Sequence, residues 1–157
     1  MRRNLAALRR SASWSAIGLT VSNRYDQYLR RTNLLAGSGV PFSAFYGVTN
    51  LYDGASRLGQ VADGVTSASY SYLANSPWVG QMFYTNNGTR RMTRTHQYDF
   101  LNRLTAVASA AASVSNAFAY AYNSANQRFR CTLADSSYWV YQYDTLAQGI
   151  SGKKSRT

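Results

Sequence analysis

A tyrosine followed by an aspartate recurs along this chain, and this pattern constrains the fold more than any other feature. Four of the six aspartates in the 157-residue sequence directly follow a tyrosine. With two weaker copies included, the anchoring tyrosines recur every 20–27 residues, at Tyr25, Tyr52, Tyr72, Tyr98, Tyr122 and Tyr143. Self-similarity at such a period is typical of proteins built from one repeated structural unit. The sequence therefore predicts about six copies of one unit.

Each copy consists of the tyrosine, an aspartate or asparagine, three or four variable residues, and an arginine followed by an apolar residue. The second residue is Asp26, Asp53, Asp99, Asn123 or Asp144, and the arginine of the best copies is Arg57 or Arg103. Before the tyrosine the chain alternates with period two, as in residues 118–122, which indicates a β-strand. Aspartate or asparagine after it can accept hydrogen bonds from backbone amides two residues on, as in tight turns. Each unit is therefore predicted to be strand, turn, strand.

Together the units predict an all-β fold, an antiparallel meander of hairpins with open edges. Thirteen tyrosines and an aromatic content of 14% favour the same class. Residues 107–116 are rich in alanine, but they fall where a chain reversal is due, so we expect a long loop there. Residues 23–152 are predicted to form the sheet, residues 1–22 a poorly ordered basic tail, and residues 153–157 a second basic tail.

The recurring Tyr-Asp-x-x-x-Arg-Leu pattern resembles the YD repeat of Rhs-family proteins, which teneurins share. The segments YDGASRL from Tyr52 and YDFLNRL from Tyr98 carry the resemblance best, and it runs from about Tyr25 to Gly152. The fifth position of the family repeat is normally glycine. Here that position holds Ser56, Asn102, Asn126 and Ala147. If the turn needs a positive φ there, asparagine adopts it at little cost and alanine at about 1 kcal/mol.

The resemblance implies a ribbon of β-sheet that spirals into a large hollow shell. In bacterial members the shell encloses a toxic domain, and in animal members it is part of an adhesion ectodomain. About six units would form an arc of such a wall, acting without catalysis, with further YD-repeat strands or a second copy as partner. Family shells also carry a self-cleaving aspartate site near a DPxG-like plug, but neither Pro41 nor Pro77 follows an aspartate, so no catalytic residue is carried over.

The repeat does not account for either end of the sequence. The chain stops soon after an anchor and its first residues match no unit, so we expect a fragment of a longer repeat. By resemblance the protein is secreted or at the cell surface. Arg9 and Arg10 interrupt the apolar stretch that a signal peptide requires, so the sequence contains no convincing one.

The composition limits catalytic and metal chemistry. With one histidine, one cysteine and no glutamate, the chain cannot assemble a two-histidine zinc site or a paired-cysteine cluster, and we predict no metal, no cofactor and no enzyme. His96 is interpreted as a packed strand residue rather than a general base, and Cys131 as an inert thiol.

A formal net charge of +11 raises the question of anionic partners. The arginines are dispersed and no nucleic-acid-binding motif is present, so we expect nonspecific attraction to polyanions and no specific nucleic-acid binding. No apolar run approaches the roughly 18 residues of a membrane-spanning helix. The alternative function is a module that binds carbohydrate or an anionic polymer at the cell surface, with Tyr120, Trp139 and Tyr141 as glycan contacts.

Overall fold

A computed structural model describes residues 11–16 and 18–156 of the chain, and within them it contains strands and turns but no helix. The thirteen strands, β1 to β13 in chain order, are Ser11–Ala16, Leu19–Tyr25, Arg31–Ser38, Ser43–Tyr52, Leu58–Ala62, Thr66–Tyr72, Val79–Asn86, Thr89–Tyr98, Leu104–Ala111, Ser115–Tyr122, Arg128–Leu133, Tyr138–Tyr143 and Gly149–Ser155. The predicted all-β class is confirmed.

The chain divides into two compact units. The first holds the described residues up to Tyr70 together with Tyr84–Thr89, and the second holds Ser71–Phe83 together with the described residues from Arg90 onward. In each unit, strands that are neighbours in sequence pair antiparallel and in chain order. Among the described strands, β13 pairs only with β12, so it is an edge strand, as an open meander requires.

The strands extend beyond both ends of the predicted sheet region. Residues 1–22, predicted to be a tail, contain β1 and most of β2, and residues 153–157 contain the end of β13. Neither segment has an anchoring tyrosine or a clear alternation, so the side-chain pattern did not indicate a strand. Backbone hydrogen bonds to the adjacent strand set the pairing of these segments. Residues 1–10 and 157 of the predicted tails lie outside the described residues.

The prediction of a long loop at residues 107–116 is wrong. Strand β9 continues to Ala111 and β10 begins at Ser115, and the turn between them is closed by a hydrogen bond from the Ala111 amide to the Val114 carbonyl oxygen (2.9 Å). Alanine is depleted in strands, but packing on one face of a sheet overrides that preference. Here Val107 is only 4% exposed and lies between His96 and Phe118 of the flanking strands, so β9 has one side chain packed within the sheet.

Each unit is a single sheet, so side chains on either face are covered only by neighbours in that sheet. The buried apolar side chains among the described residues are Val107 and Cys131. His96 and Phe118 lie directly opposite Val107 in the two flanking strands, and directly opposed residues share a face. The interior is therefore small, and contacts at the turns carry much of the organisation.

A break in register marks the end of every strand that leads into a Tyr-Asp or Tyr-Asn pair. The shift falls just before the tyrosine in five hairpins, those of Tyr25, Tyr52, Tyr98, Tyr122 and Tyr143. One residue of the returning strand is left unpaired, which is a β-bulge, and bulges of this kind are built features that redirect side chains. The tyrosine is thus placed at the same point of each hairpin.

Candidate functional site: the Tyr-Asp turns

One carboxylate organises each complete turn, as the hairpin of Tyr98 shows. The Oδ1 atom of Asp99 accepts hydrogen bonds from the backbone amides of Leu101 (2.9 Å) and Arg103 (3.0 Å). Its Oδ2 atom accepts one from Nε of Arg103 (2.7 Å). The Asp99 amide donates to the Arg103 carbonyl oxygen (3.0 Å), and the Asn102 amide donates to the Asp99 carbonyl oxygen (2.9 Å). The aspartate and arginine therefore close the turn together.

The fifth residue of these turns has the left-handed backbone conformation that glycine adopts most readily. The φ angles are 62° at Leu29, 62° at Ser56, 61° at Asn102, 61° at Asn126 and 63° at Ala147. The conformation expected from the resemblance is therefore present at the four positions that the sequence indicated. The structure adds Leu29, which the sequence did not single out because leucine is a poor choice for a positive φ.

The same geometry holds with and without charge. Arg30 pairs with Asp26, and Arg57 with Asp53, just as Arg103 pairs with Asp99. In the fourth turn Asn123 replaces the aspartate, and its Nδ2 atom donates to Oε1 of Gln127 (2.7 Å). Its Oδ1 atom still accepts from the amides of Ala125 and Gln127, both at 3.0 Å. An amide pair thus has the shape of the ion pair without its charge.

Two copies depart from this arrangement. At the last turn, Oδ1 of Asp144 accepts from the amides of Leu146 (2.9 Å) and Gln148 (2.8 Å), and glutamine stands where the arginine would be. At the weak copy of Tyr72 there is no aspartate, and the Leu73 amide donates to the carbonyl oxygen of Trp78 (2.9 Å), five residues on instead of four. The predicted anchor Tyr72 therefore leads into a longer turn.

The hydroxyl of each of four anchoring tyrosines connects its hairpin to the preceding one. Each donates to the backbone carbonyl oxygen of the residue that directly follows the previous turn. The pairs are Tyr52 to Arg31 (3.0 Å), Tyr98 to Val79 (3.1 Å), Tyr122 to Leu104 (2.8 Å) and Tyr143 to Arg128 (2.8 Å). Sequence alone could not reveal these bonds, because each acceptor is a main-chain oxygen and no particular residue type marks its position.

The turn arginine makes a second connection between hairpins. The guanidinium carbon of Arg103 lies 4.7 Å from the ring centroid of Tyr122, and its NH1 atom donates to Oδ1 of Asn126 (2.8 Å). Arg30 makes the same two contacts to the next hairpin, at 4.6 Å from the Tyr52 ring and 3.0 Å from the Ser56 hydroxyl. We call these tyrosine and arginine contacts between successive turns the turn ladder.

Asp26, Asp53 and Asp99, the three turn aspartates with an arginine partner, each have a lowered pKa and so favour their charged form. The backbone amide of Arg57, and then its side chain, lower the pKa of Asp53. Partial burial raises the pKa of Asp99, but the hydrogen bonds from Arg103 and Leu101 outweigh it, so this pKa is also lowered. Hydrogen bonds stabilise the carboxylate over the carboxylic acid, which explains the direction. These three turns therefore stabilise an ionised aspartate.

The three residues predicted to contact glycans lie on one face of the second unit. Tyr120 and Trp139 both face Cys131 across the strand between them, and Tyr141 follows Trp139 by two residues. The guanidinium carbon of Arg128 lies 5.1 Å from the Tyr120 ring and 5.4 Å from the Tyr141 ring. This side chain therefore occupies one face of each tyrosine ring, and the glycan contacts stay a prediction.

Neither residue considered for catalysis stands in a cluster of reactive groups. The Nδ1 atom of His96 donates to the carbonyl oxygen of Val79 (3.1 Å), and the imidazole makes an edge contact with Tyr98. Cys131 is buried at 7% exposure. The described residues contain no group of three or more histidine, cysteine or aspartate side chains that could hold a metal ion. The described residues form no helix that is long and apolar enough to cross a membrane.

Comparisons with known proteins give distant structural matches only. A scan against family models finds no match, and a search of curated proteins finds no significant one. The chain is similar to part of the crystal structure of TcdB2-TccC3-Cdc42, with 11% identity and a TM-score of 0.45 over 84% of this chain and 9% of that chain. It is also similar to a porin-like protein from Bacteroides uniformis, with 10% identity and a TM-score of 0.42 over 92% and 87% of the two chains. These alignments are too loose to transfer a function.

Proposed function

We propose that this chain is a non-catalytic structural segment of an Rhs/YD-repeat wall, one that encloses cargo or lies at a cell surface. Its task is to continue a sheet by adding hairpins to its neighbours. The observation that carries the proposal is the turn ladder, in which a tyrosine hydroxyl of one hairpin binds the main chain just after the turn of the preceding one.

The energetics support a role as part of a larger wall. In repeat structures of this kind each unit contacts its neighbours only, and stability is close to a sum of local terms and neighbour terms. The terminal hairpin therefore lacks the neighbour contribution on one side. With Val107 and Cys131 as the buried apolar side chains of the described chain, little other burial compensates for that loss.

The outer edge of the last hairpin has the acceptor that the turn ladder uses. In every linked pair of hairpins the acceptor is the residue directly after the turn, and after the last turn that residue is Gly149, the first of β13. An added strand that ends in tyrosine would place its hydroxyl on this carbonyl oxygen. Unpaired strand edges recruit other strands readily, so a further YD-repeat strand or a second copy of this chain is the expected partner.

Self-association through β13 tests the proposal. Ile150, in β13, is 63% exposed, and Val114, in the turn between β9 and β10, is 67% exposed. We expect Ile150→Lys to shift the full chain toward monomer in sedimentation velocity over a range of concentrations, because a charge on an edge strand opposes pairing. Val114→Lys adds the same charge away from the edge and should leave association unchanged. Equal effects of the two variants, or a parent chain that is monomeric at every concentration, would overturn the proposal.

The proposal assigns no catalytic role to His96, whose Nδ1 atom is engaged by a main-chain oxygen. The carbohydrate alternative at Tyr120, Trp139 and Tyr141 stays a prediction, and Arg128 covers one face of each tyrosine ring there.

A further inference from the structure

A shallow groove of about 280 Å³ lies on the last two strands of the second unit. It is lined by Tyr138, Val140, Gln142, Ser151, Lys153 and Ser155. Successive residues of a strand point to opposite faces, so the groove lies on the face opposite Trp139 and Tyr141. It is therefore separate from the aromatic residues discussed above.

A row of three paired residues crosses this groove and has a cation at each end. Lys153 lines the groove, and Arg130 lies on the strand beside it. Val140 pairs with Arg130 of β11 on one side and with Lys153 of β13 on the other, so the three side chains form one row on one face. With strands about 4.8 Å apart, the two ends of the row are about 10 Å apart at the backbone. Strands β11, β12 and β13 contain no acidic residue, so every charged side chain on these three strands is positive.

Among the residues that the structure describes, no acidic side chain pairs with either cation of this row. The guanidinium carbon of Arg130 lies 3.9 Å from the ring centroid of Tyr138, and its Nε atom is buried without a hydrogen-bond acceptor. Lys153 is exposed and forms no ion pair with the residues that the structure describes. The ladder arginines, in contrast, each have an aspartate. An anion bound in the groove would pair with the positive charge of Lys153 and with that of the neighbouring Arg130 guanidinium.

Neutral polar groups lie on both sides of the cationic row. Thr132, Tyr138 and Ser155 form a neighbouring row of hydroxyl-bearing residues. On the other side Ser151 donates from its hydroxyl to Oε1 of Gln142 (2.9 Å). Hydroxyl and amide groups of this kind can both donate to and accept from sugar hydroxyls. Arg130 covers one face of the Tyr138 ring, so that face is closed to stacking on a nucleic-acid base.

We infer that this groove binds an anionic oligosaccharide, whose carboxylate or sulfate groups pair with Arg130 and Lys153 while its hydroxyls contact the polar rows. This activity goes beyond the structural role proposed above. Because the ligand lies on a face of the sheet, the outer edge of β13 stays available for pairing with another strand.

The test compares two adjacent lysines of the same strand. Lys153 lies in the cationic row, whereas Lys154 pairs with Trp139 and lies on the opposite face. The probe is a heparin hexasaccharide, bound to the immobilised full chain at about 0.15 M salt to screen long-range attraction. We expect Lys153→Gln to weaken binding about fivefold or more, Lys154→Gln to change it less than twofold, and Lys153→Arg to retain it.

Several results would overturn the inference. Equal losses for Lys153→Gln and Lys154→Gln would show general attraction to a basic protein, and absence of binding to the parent chain would show that the groove is not a site. Tighter binding of a single-stranded oligonucleotide that depends on Lys153 would assign the groove to nucleic acid instead. An uncharged dextran hexasaccharide should not bind, and circular dichroism of each variant confirms that the sheet is intact.

Discussion

Removal of a single hydroxyl from the turn ladder measures what one connection between hairpins contributes. In Tyr122→Phe the ring remains, so its contact with Arg103 at 4.7 Å is kept, and only the bond to the Leu104 carbonyl oxygen at 2.8 Å is lost. A hydrogen bond of this kind contributes a net 0.5–1.5 kcal/mol, so we expect a loss of about 1 kcal/mol in the free energy of unfolding. For a chain of this length that corresponds to a fall in Tm of roughly 2–4 °C.

The assay is urea unfolding followed by far-ultraviolet circular dichroism at low protein concentration. The matched control is Tyr28→Phe, because the Tyr28 ring also lies near an arginine, Arg30 at 5.0 Å, but the residue is 65% exposed. Its hydroxyl has no hydrogen bond to the described part of the chain, so the control should change stability by about 0.5 kcal/mol or less. If Tyr122→Phe were as stable as the control, the hydroxyl bonds would not hold the hairpins together and the argument from the turn ladder would fail.

Two further predictions concern the turns themselves. Ala147→Gly should stabilise the chain by about 1 kcal/mol because φ is 63° at that residue, whereas Asn102→Gly should be close to neutral because asparagine tolerates this conformation. Thermal unfolding of both variants measures the two effects. Equal shifts in Tm would contradict the reasoning. Asp53 has a pKa below its ordinary value of 3.8 in the folded chain, so its contribution to stability is present above that value and is lost as the pH falls through the folded pKa. Asp53→Asn should therefore be less stable than the parent at pH 7, and the difference in the free energy of unfolding should shrink as the pH falls below 3.8. Urea unfolding at pH 7 and at a series of lower pH values measures this difference, and a difference that does not change with pH would contradict the reasoning.

The repeat and the class of fold could be predicted because they depend on local side-chain chemistry. Tyrosines at strand ends and aspartates that accept turn amides leave a periodic trace in the sequence, and the positive φ at Asn102 and Asn126 follows from the same chemistry. The end strands and the alanine-rich β9 escaped prediction because pairing partners, rather than their own residues, hold them in the sheet.

The connections between hairpins were beyond the sequence for a different reason. Arg30 was missed because Arg31, not an apolar residue, follows it, although its contacts match those of Arg103. The partner of a turn arginine lies more than 20 residues away, and the acceptor of a tyrosine hydroxyl is a main-chain atom, so no local pattern identifies either one. The row of Arg130, Val140 and Lys153 likewise exists only through the register of three strands.

Because the tyrosine hydroxyls bind main-chain oxygens, the turn ladder tolerates many substitutions at the residues that accept these bonds. The residues whose carbonyl oxygens receive the tyrosines are arginine, valine, leucine and arginine, which have no chemistry in common beyond the peptide group. A substitution at a receiving position therefore keeps the carbonyl acceptor, and for this bond the side chain that must be kept is the tyrosine. Hairpins of this type can be duplicated, deleted or exchanged within a gene, because the tyrosine of each hairpin meets the same main-chain acceptor in whichever hairpin precedes it.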